Sequence, residues 1–229
     1  MPRAMLYKEV RETAAIVAVA LAFYFYFDVK AMRHDLLPWL STADKGYMPY
    51  DYAQYFYEIP FVGRGHMAEI AWVSAGLCIA LGFWQSLGES IHGTWLFLLH
   101  RPVARVRLIS VKLLVGTSLY LVCAAAAILA YACWAATPRT HASPFEWSMT
   151  VPAWKVWITM PLVYFGAFLS GIRPARWVGT RLLPLAVAGF LAAVIPDLRW
   201  WPICGLGLVV LGSIVLVRSI LFVARTRNF

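Results

Sequence analysis

Several residue types that commonly perform catalysis occur in this sequence, but their spacing forms no catalytic or metal-binding motif. Gly116-Thr117-Ser118 is similar to the serine element of an intramembrane protease, yet no apolar run after Ser118 contains a histidine that could act as its base. No GxxxxGK[ST] loop is present to cradle the phosphates of ATP. The five histidines are scattered over loops and helix ends, whereas metal ligands must converge: His34, His66, His92, His100 and His141. We therefore expect no catalytic site, metal or cofactor in this chain, and we expect that it is not an enzyme.

One stretch of the chain, Glu89–Lys112, combines basic residues at helical spacing with apolar residues. Pro102 suits the first turn of a helix. The positions i, i+4, i+7 and i+11 that follow one helix face are Arg101, Arg105, Leu108 and Lys112. This spacing predicts a short basic helix at a membrane surface, with three cations along one face. The alternative is a generic basic loop held by anionic lipid headgroups.

The composition places the chain among membrane proteins. Of its 229 residues, 62% are hydrophobic and only 14% are charged, whereas a soluble domain has about 25% charged residues. The chain also has 11 Trp and 11 Tyr residues, which are enriched at membrane interfaces. The net charge of +9 does not indicate nucleic acid as a partner, because the basic residues lie between apolar runs rather than in one patch.

Six apolar runs predict an all-α integral membrane protein with a single transmembrane domain, residues 1–229. Lipid offers no partner for bare backbone groups, so each run is expected to be a helix. The predicted spans cover residues 14–30, 68–87, 113–136, 154–172, 180–196 and 201–222. Residues before the first span, including Lys8 and Glu9, predict a short amphipathic helix that lies on the membrane.

Individual residues in these runs predict further details of the helices. Pro161 and Pro184 predict kinks, and Gly166 with Ser170 predicts a face for close helix contact, including a possible contact between two copies. The apolar cores contain no Asp or Glu, the residues that usually mark proton or sodium coupling. This composition argues against a secondary transporter.

The distribution of basic residues predicts the orientation. With the N-terminus inside, the cytoplasmic segments hold 13 of the 20 Lys and Arg residues, and the external segments hold eight of the 11 acidic residues. Both termini are therefore predicted to be cytoplasmic by the positive-inside rule. The largest external connection, Asp28–Arg64, is rich in aromatic residues and predicts an interfacial segment at the bilayer surface.

The basic stretch resembles the cytoplasmic connection that follows the second span in permease subunits of ATP-binding-cassette transporters of the type-2 exporter family. The pattern of that family is E-x-x-x-G-T-x-x-x-L-L-x-x-P-V-S-R-x-x-I/L-x-x-x-K. The chain matches it without a gap at Glu89, Gly93, Thr94, Leu98, Leu99, Pro102, Val103, Arg105, Leu108 and Lys112. It departs from the family at Ile91, Ala104 and Val111, where an acid, Ser and Gly are common. The residues Lys8–Glu12 are similar to the family's entry helix.

The resemblance implies a permease in the cytoplasmic membrane that works with separate ABC ATPase subunits and with a second permease copy or a related permease. The matched residues, together with Arg101, would form a coupling helix that docks on the ATPase. The resemblance does not identify the transported substrate. The alternative function is a non-transport anchoring or assembly subunit that holds a cytosolic partner through the same loop.

Overall fold

The computed structural model describes residues 2–32, 61, 64–91, 105–137, 145–173 and 180–226, and within these residues it contains helices and no β-strand. The α-helices are α1 (Pro2–Met32), α2 (Arg64–Ile91), α3 (Arg105–Ala135), α4 (Val151–Thr159), α5 (Pro161–Ile172), α6 (Leu183–Val194) and α7 (Leu206–Thr226). Short 3-10 helices, Trp147–Thr150 and Ile195–Asp197, precede α4 and follow α6, and a π-helical turn, Trp201–Gly205, leads into α7. The all-α prediction is confirmed.

Among the residues that the structure describes, five helical stretches are long and apolar enough to cross a membrane, as expected of a multi-pass membrane protein. They are Leu6–Met32, His66–Gly88, Arg105–Ala135, Trp147–Ile172 and Trp201–Thr226. The remaining predicted span, 180–196, corresponds to the shorter apolar helix Leu183–Asp197. Its 15 residues, 12 in α6 and three in the 3-10 helix, are about 22 Å long at 1.5 Å per residue. A hydrocarbon core is about 30 Å thick, so six full-length spans are not confirmed.

The first helix differs from its prediction. We expected a separate amphipathic helix followed by a span from residue 14, but α1 is continuous from Pro2 to Met32. No glycine or proline follows Pro2 within it, so nothing in the local sequence interrupts the backbone hydrogen bonds. Glu9, expected on the polar surface, is buried against α3.

Successive long helices run in opposite directions. Tyr24 Oη of α1 lies 2.7 Å from Ser74 Oγ of α2, and six residues later Lys30 Nζ lies 2.6 Å from Glu69 Oε1, earlier in α2. Trp157 Nε1 of α4 donates to the Leu121 carbonyl of α3 at 2.9 Å, whereas Tyr164 Oη of α5 lies 3.2 Å from the carbonyl oxygen of Lys112, earlier in α3. These pairings define two opposite ends of the helical bundle. The basic end has the exposed or part-exposed residues Lys8, Arg11, Arg105, Arg107, Arg173, Arg181 and Arg225, and the tryptophan end has Trp134, Trp147, Trp154, Trp200 and Trp201.

The two predicted proline kinks have different outcomes. Pro161 interrupts the fourth stretch, where α4 ends at Thr159 and α5 begins at Pro161, as its missing N–H requires. Pro184 lies in the first turn of α6 rather than inside a helix. An N–H group in the first turn of a helix has no intrahelical acceptor, so a proline there removes no hydrogen bond. The prediction of a kink at Pro184 is therefore wrong.

The predicted small-residue face on α5 packs against α6 of the same chain. A Cβ placed on Gly166 would lie 2.6 Å from Ala188 Cβ, and Ser170 Oγ accepts a hydrogen bond from the Leu185 N–H at 3.3 Å. Close helix contact at these residues is confirmed. Because α6 covers this face, Gly166 and Ser170 are not available for contact with a second copy.

Candidate functional site

The predicted coupling segment connects α2 to α3 at the basic end. Glu89 lies in the last turn of α2, and Arg105 is the first residue of α3. The other predicted coupling residues up to Val103 lie outside the described residues: Gly93, Thr94, Leu98, Leu99, Arg101, Pro102 and Val103. The aromatic external connection also lies largely outside them, although Phe61 is described and buried.

The described part of the segment does not present one continuous basic face. Arg105 and Arg107 are exposed, whereas Leu108 is buried and the Lys112 side chain is 2% exposed. Seven residues are nearly two helical turns, so Lys112 does point to the same side of α3 as Arg105. It lies deeper, however, where α1 covers that side. The expectation that Lys112 extends an exposed stripe is therefore wrong.

Lys112 forms a buried ion pair with Glu9 of α1. Its Nζ lies 2.8 Å from Glu9 Oε1 and 3.1 Å from Oε2, and the Glu9 side chain is 8% exposed. Both carboxylate oxygens therefore contact one ammonium group. An isolated charge at this depth would be strongly unfavourable, and the pair compensates both charges. It joins the start of the first helix to the start of the third.

The same turn of α3 is hydrogen-bonded to α2 and α5. Tyr164 Oη of α5 donates to Gln85 Oε1 of α2 at 2.6 Å and lies 3.2 Å from the Lys112 carbonyl oxygen. Gly116 makes room for this contact, because a Cβ on it would clash with the Tyr164 hydroxyl. We call Glu9, Gln85, Lys112 and Tyr164 the polar node. It fixes four helices relative to one another at the basic end.

The buried side of α1 carries a second set of polar contacts toward the tryptophan end. Asp28 Oδ1 lies 3.7 Å from His66 Nε2, and the two side chains are 6% and 9% exposed. The His66 ring packs on Tyr131 with centroids 4.3 Å apart. The His66 side chain is therefore largely covered, although the residue lies in the first turn of α2, at a helix end as the sequence predicts.

The long first helix also changes the expectation about membrane carboxylates. Glu9 and Asp28 both lie within the membrane-length stretch Leu6–Met32, outside the apolar run 14–27, which contains neither Asp nor Glu. One signal was present in the sequence: Glu9, Thr13, Tyr24 and Asp28 recur at helical spacing along one face of α1. The structure buries all four side chains. Ionisable residues in a span are a default indication of function.

Comparison of the chain with protein-family models, with curated proteins and with solved structures finds no match.

Proposed function

We propose that this chain is the permease subunit of an ATP-driven exporter of the type-2 ATP-binding-cassette family. It forms the translocation pathway in the cytoplasmic membrane and receives its energy from a separate ATPase subunit. The observation that carries the proposal is that ten positions between Glu89 and Lys112 match the family pattern in register, with no insertion or deletion. The membrane-length helices support the proposal, and so does the position of this segment between α2 and α3 at the basic end.

The charge distribution supports a cytoplasmic basic end. Exposed Arg105 and Arg107 at the start of α3 lie on the same side of the bundle as Arg173 and Arg181. Arg181 donates to the Ser170 and Gly171 carbonyls at 3.0 and 2.9 Å, which ties the residue before α6 to the last turn of α5. Short loops rich in Lys and Arg stay on the cytoplasmic side, where an ATPase subunit is available.

We further propose that the chain crosses the membrane six times and that both termini are cytoplasmic. The contacts of α6 support this number despite its short length. Near its start, Leu185 contacts Ser170 at the basic end. Past its end, the Pro196 carbonyl accepts from Lys155 Nζ at 3.3 Å, and the same ammonium lies 5.5 Å from the Trp201 ring at the tryptophan end. The helix therefore returns along most of the length of α4 and α5.

Labelling of single cysteines with an impermeant thiol reagent tests this topology. The exposed native Cys133 and Cys204 are first replaced by serine. We expect Arg199→Cys to be labelled from outside and Thr226→Cys to be protected, because α6 separates the tryptophan end from the preceding basic turn. Ser148→Cys, external under either topology, is the positive control, and Arg107→Cys is the cytoplasmic control. Labelling of Thr226→Cys with protection of Arg199→Cys would show five crossings instead of six.

Affinity purification of the chain from its native host membrane tests the function itself. We expect a phosphate-loop ATPase to co-purify, and we expect vesicles that contain the complex to hydrolyse ATP and transport a substrate. The complex should hold two permease copies, or one copy and a related permease, because alternating access needs two halves that move against each other. A cytosolic partner that co-purifies without any transport would support the anchoring function, recovery of no ATPase would contradict the permease function, and recovery of no cytosolic partner would contradict both.

A further inference from the structure

The ion pair between Glu9 and Lys112 connects two parts of the chain that the proposed function treats separately. Glu9 lies in the third turn of α1, and Lys112, the last residue of the predicted coupling segment, lies two turns after Arg105, the first residue of α3. Both side chains are more than nine-tenths buried, and the ammonium contacts both carboxylate oxygens. The contact therefore joins the entry to the first span with the exit from the coupling segment.

Stability alone does not account for charged residues at these positions. Desolvation of two charges offsets most of their attraction, so apolar replacements of a buried ion pair are often neutral or stabilising. A charged pair differs from an apolar contact in its geometry, because the ammonium must remain within a short distance of the carboxylate. Apolar side chains at the same positions can slide past one another at little cost. The pair thus restricts the position of α3 relative to α1.

Lys112 holds its neighbours through two separate groups. Its side chain binds Glu9 of α1, and its carbonyl oxygen lies 3.2 Å from Tyr164 Oη of α5. Tyr164 in turn donates to Gln85 of α2. A displacement of the first turns of α3 is therefore passed to α1 through an ion pair and to α2 and α5 through hydrogen bonds.

We infer that Glu9 and Lys112 are positioning residues that hold the coupling segment against the first span, so that a displacement of the segment moves α1 and α3 together. This inference rests on the proposed function, in which an ATPase subunit displaces the segment. The positioning itself is a property of the permease alone. It can therefore be measured without an ATPase.

Four variants separate positioning from a merely structural contribution. Glu9→Gln and Lys112→Met each leave one buried charge unpaired and should lower the melting temperature. The double variant Glu9→Gln/Lys112→Met buries no charge and should recover most of the stability of the wild-type protein. The exchanged variant Glu9→Lys/Lys112→Glu keeps a pair of opposite charges and should recover both stability and position.

The first measurement is a distance between spin labels at two exposed sites, Tyr7→Cys and Arg107→Cys, in a chain whose other cysteines are replaced. We expect a narrow distance distribution in the wild-type and exchanged proteins. In the stable double neutral variant we expect a broad one. A narrow distribution in the double neutral variant would overturn the inference, because neutral packing would then position α3 equally well.

The second measurement is transport-stimulated ATP hydrolysis in the purified complex. We expect about a tenfold loss in the double neutral variant, within the range of typical coupling between sites, although its ATPase subunit still co-purifies. The exchanged variant should recover the activity, and full activity of the double neutral variant would also overturn the inference. If the wild-type chain recovers no ATPase, the proposed function fails, and the distance measurement still decides the positioning role.

Discussion

Under the proposed function, an Arg105→Glu variant is expected to recover no ATPase during affinity purification, while the chain still inserts and folds. Arg105 is exposed at the start of α3 and occupies the arginine position of the pattern that the chain shares with the type-2 permeases. If it faces an acidic groove on the ATPase, the change sets like charges against each other, which costs several kcal/mol in a desolvated contact. Each 1.4 kcal/mol is a factor of about ten in affinity. Recovery of the ATPase should therefore fall at least about tenfold.

Arg107→Glu is the matched control for this experiment. It makes the same change of charge on an exposed arginine only two residues away, at a position that the family pattern leaves open. Docking through the matched positions predicts a much larger loss for Arg105→Glu than for Arg107→Glu. Headgroup binding by a generic basic loop predicts equal effects on membrane insertion and no effect on the ATPase. Equal recovery of the ATPase from both variants would show that Arg105 does not belong to a docking surface.

A Gly82→Val variant is expected to destabilise the bundle by about 3 kcal/mol, as overpacking of a close contact does. A Cβ on Gly82 of α2 would lie 2.7 Å from Ala167 Cβ, 2.8 Å from the Tyr164 carbonyl oxygen and 2.9 Å from the Phe168 backbone nitrogen. These atoms belong to the α5 backbone or are fixed directly to it, so rotation of a side chain cannot relieve the clash. The helices must separate, which would also disturb the bond between Tyr164 and Gln85.

Gly76→Val is the control, because Gly76 lies on the same helix and a Cβ there meets nothing within 4 Å. The intrinsic cost of placing valine in a helix is the same at both positions. Unfolding in mixed micelles with increasing detergent denaturant measures the free energy of each variant. We expect Gly76→Val to differ from the wild-type protein by less than about 1 kcal/mol. Equal free energies for the two variants would contradict the close contact between α2 and α5.

The sequence by itself determined the class of protein, the helical structure and most of the membrane-length segments. Apolar runs of this length cannot leave backbone groups unpaired in lipid, so composition and run length are sufficient to predict helices. The interruption at Pro161 was predictable for a similarly local reason, since proline lacks the N–H that continues a helix. The matched positions from Glu89 to Lys112 are also a feature of the sequence alone, and the function proposed from them stays a prediction.

Only the tertiary structure decided which polar residues are buried and what they contact. Arg105 and Lys112 share one side of α3. No local pattern shows that α1 covers Lys112 and leaves Arg105 exposed. From the sequence, Glu9 beside Lys8 is predicted to be a surface residue. The structure buries it because Lys112, 103 positions away, compensates its charge. Burial of an ion is favourable only when a partner from another helix is present. The helical spacing of the polar face on α1 was visible in the sequence, but its buried contacts depend on how the helices pack.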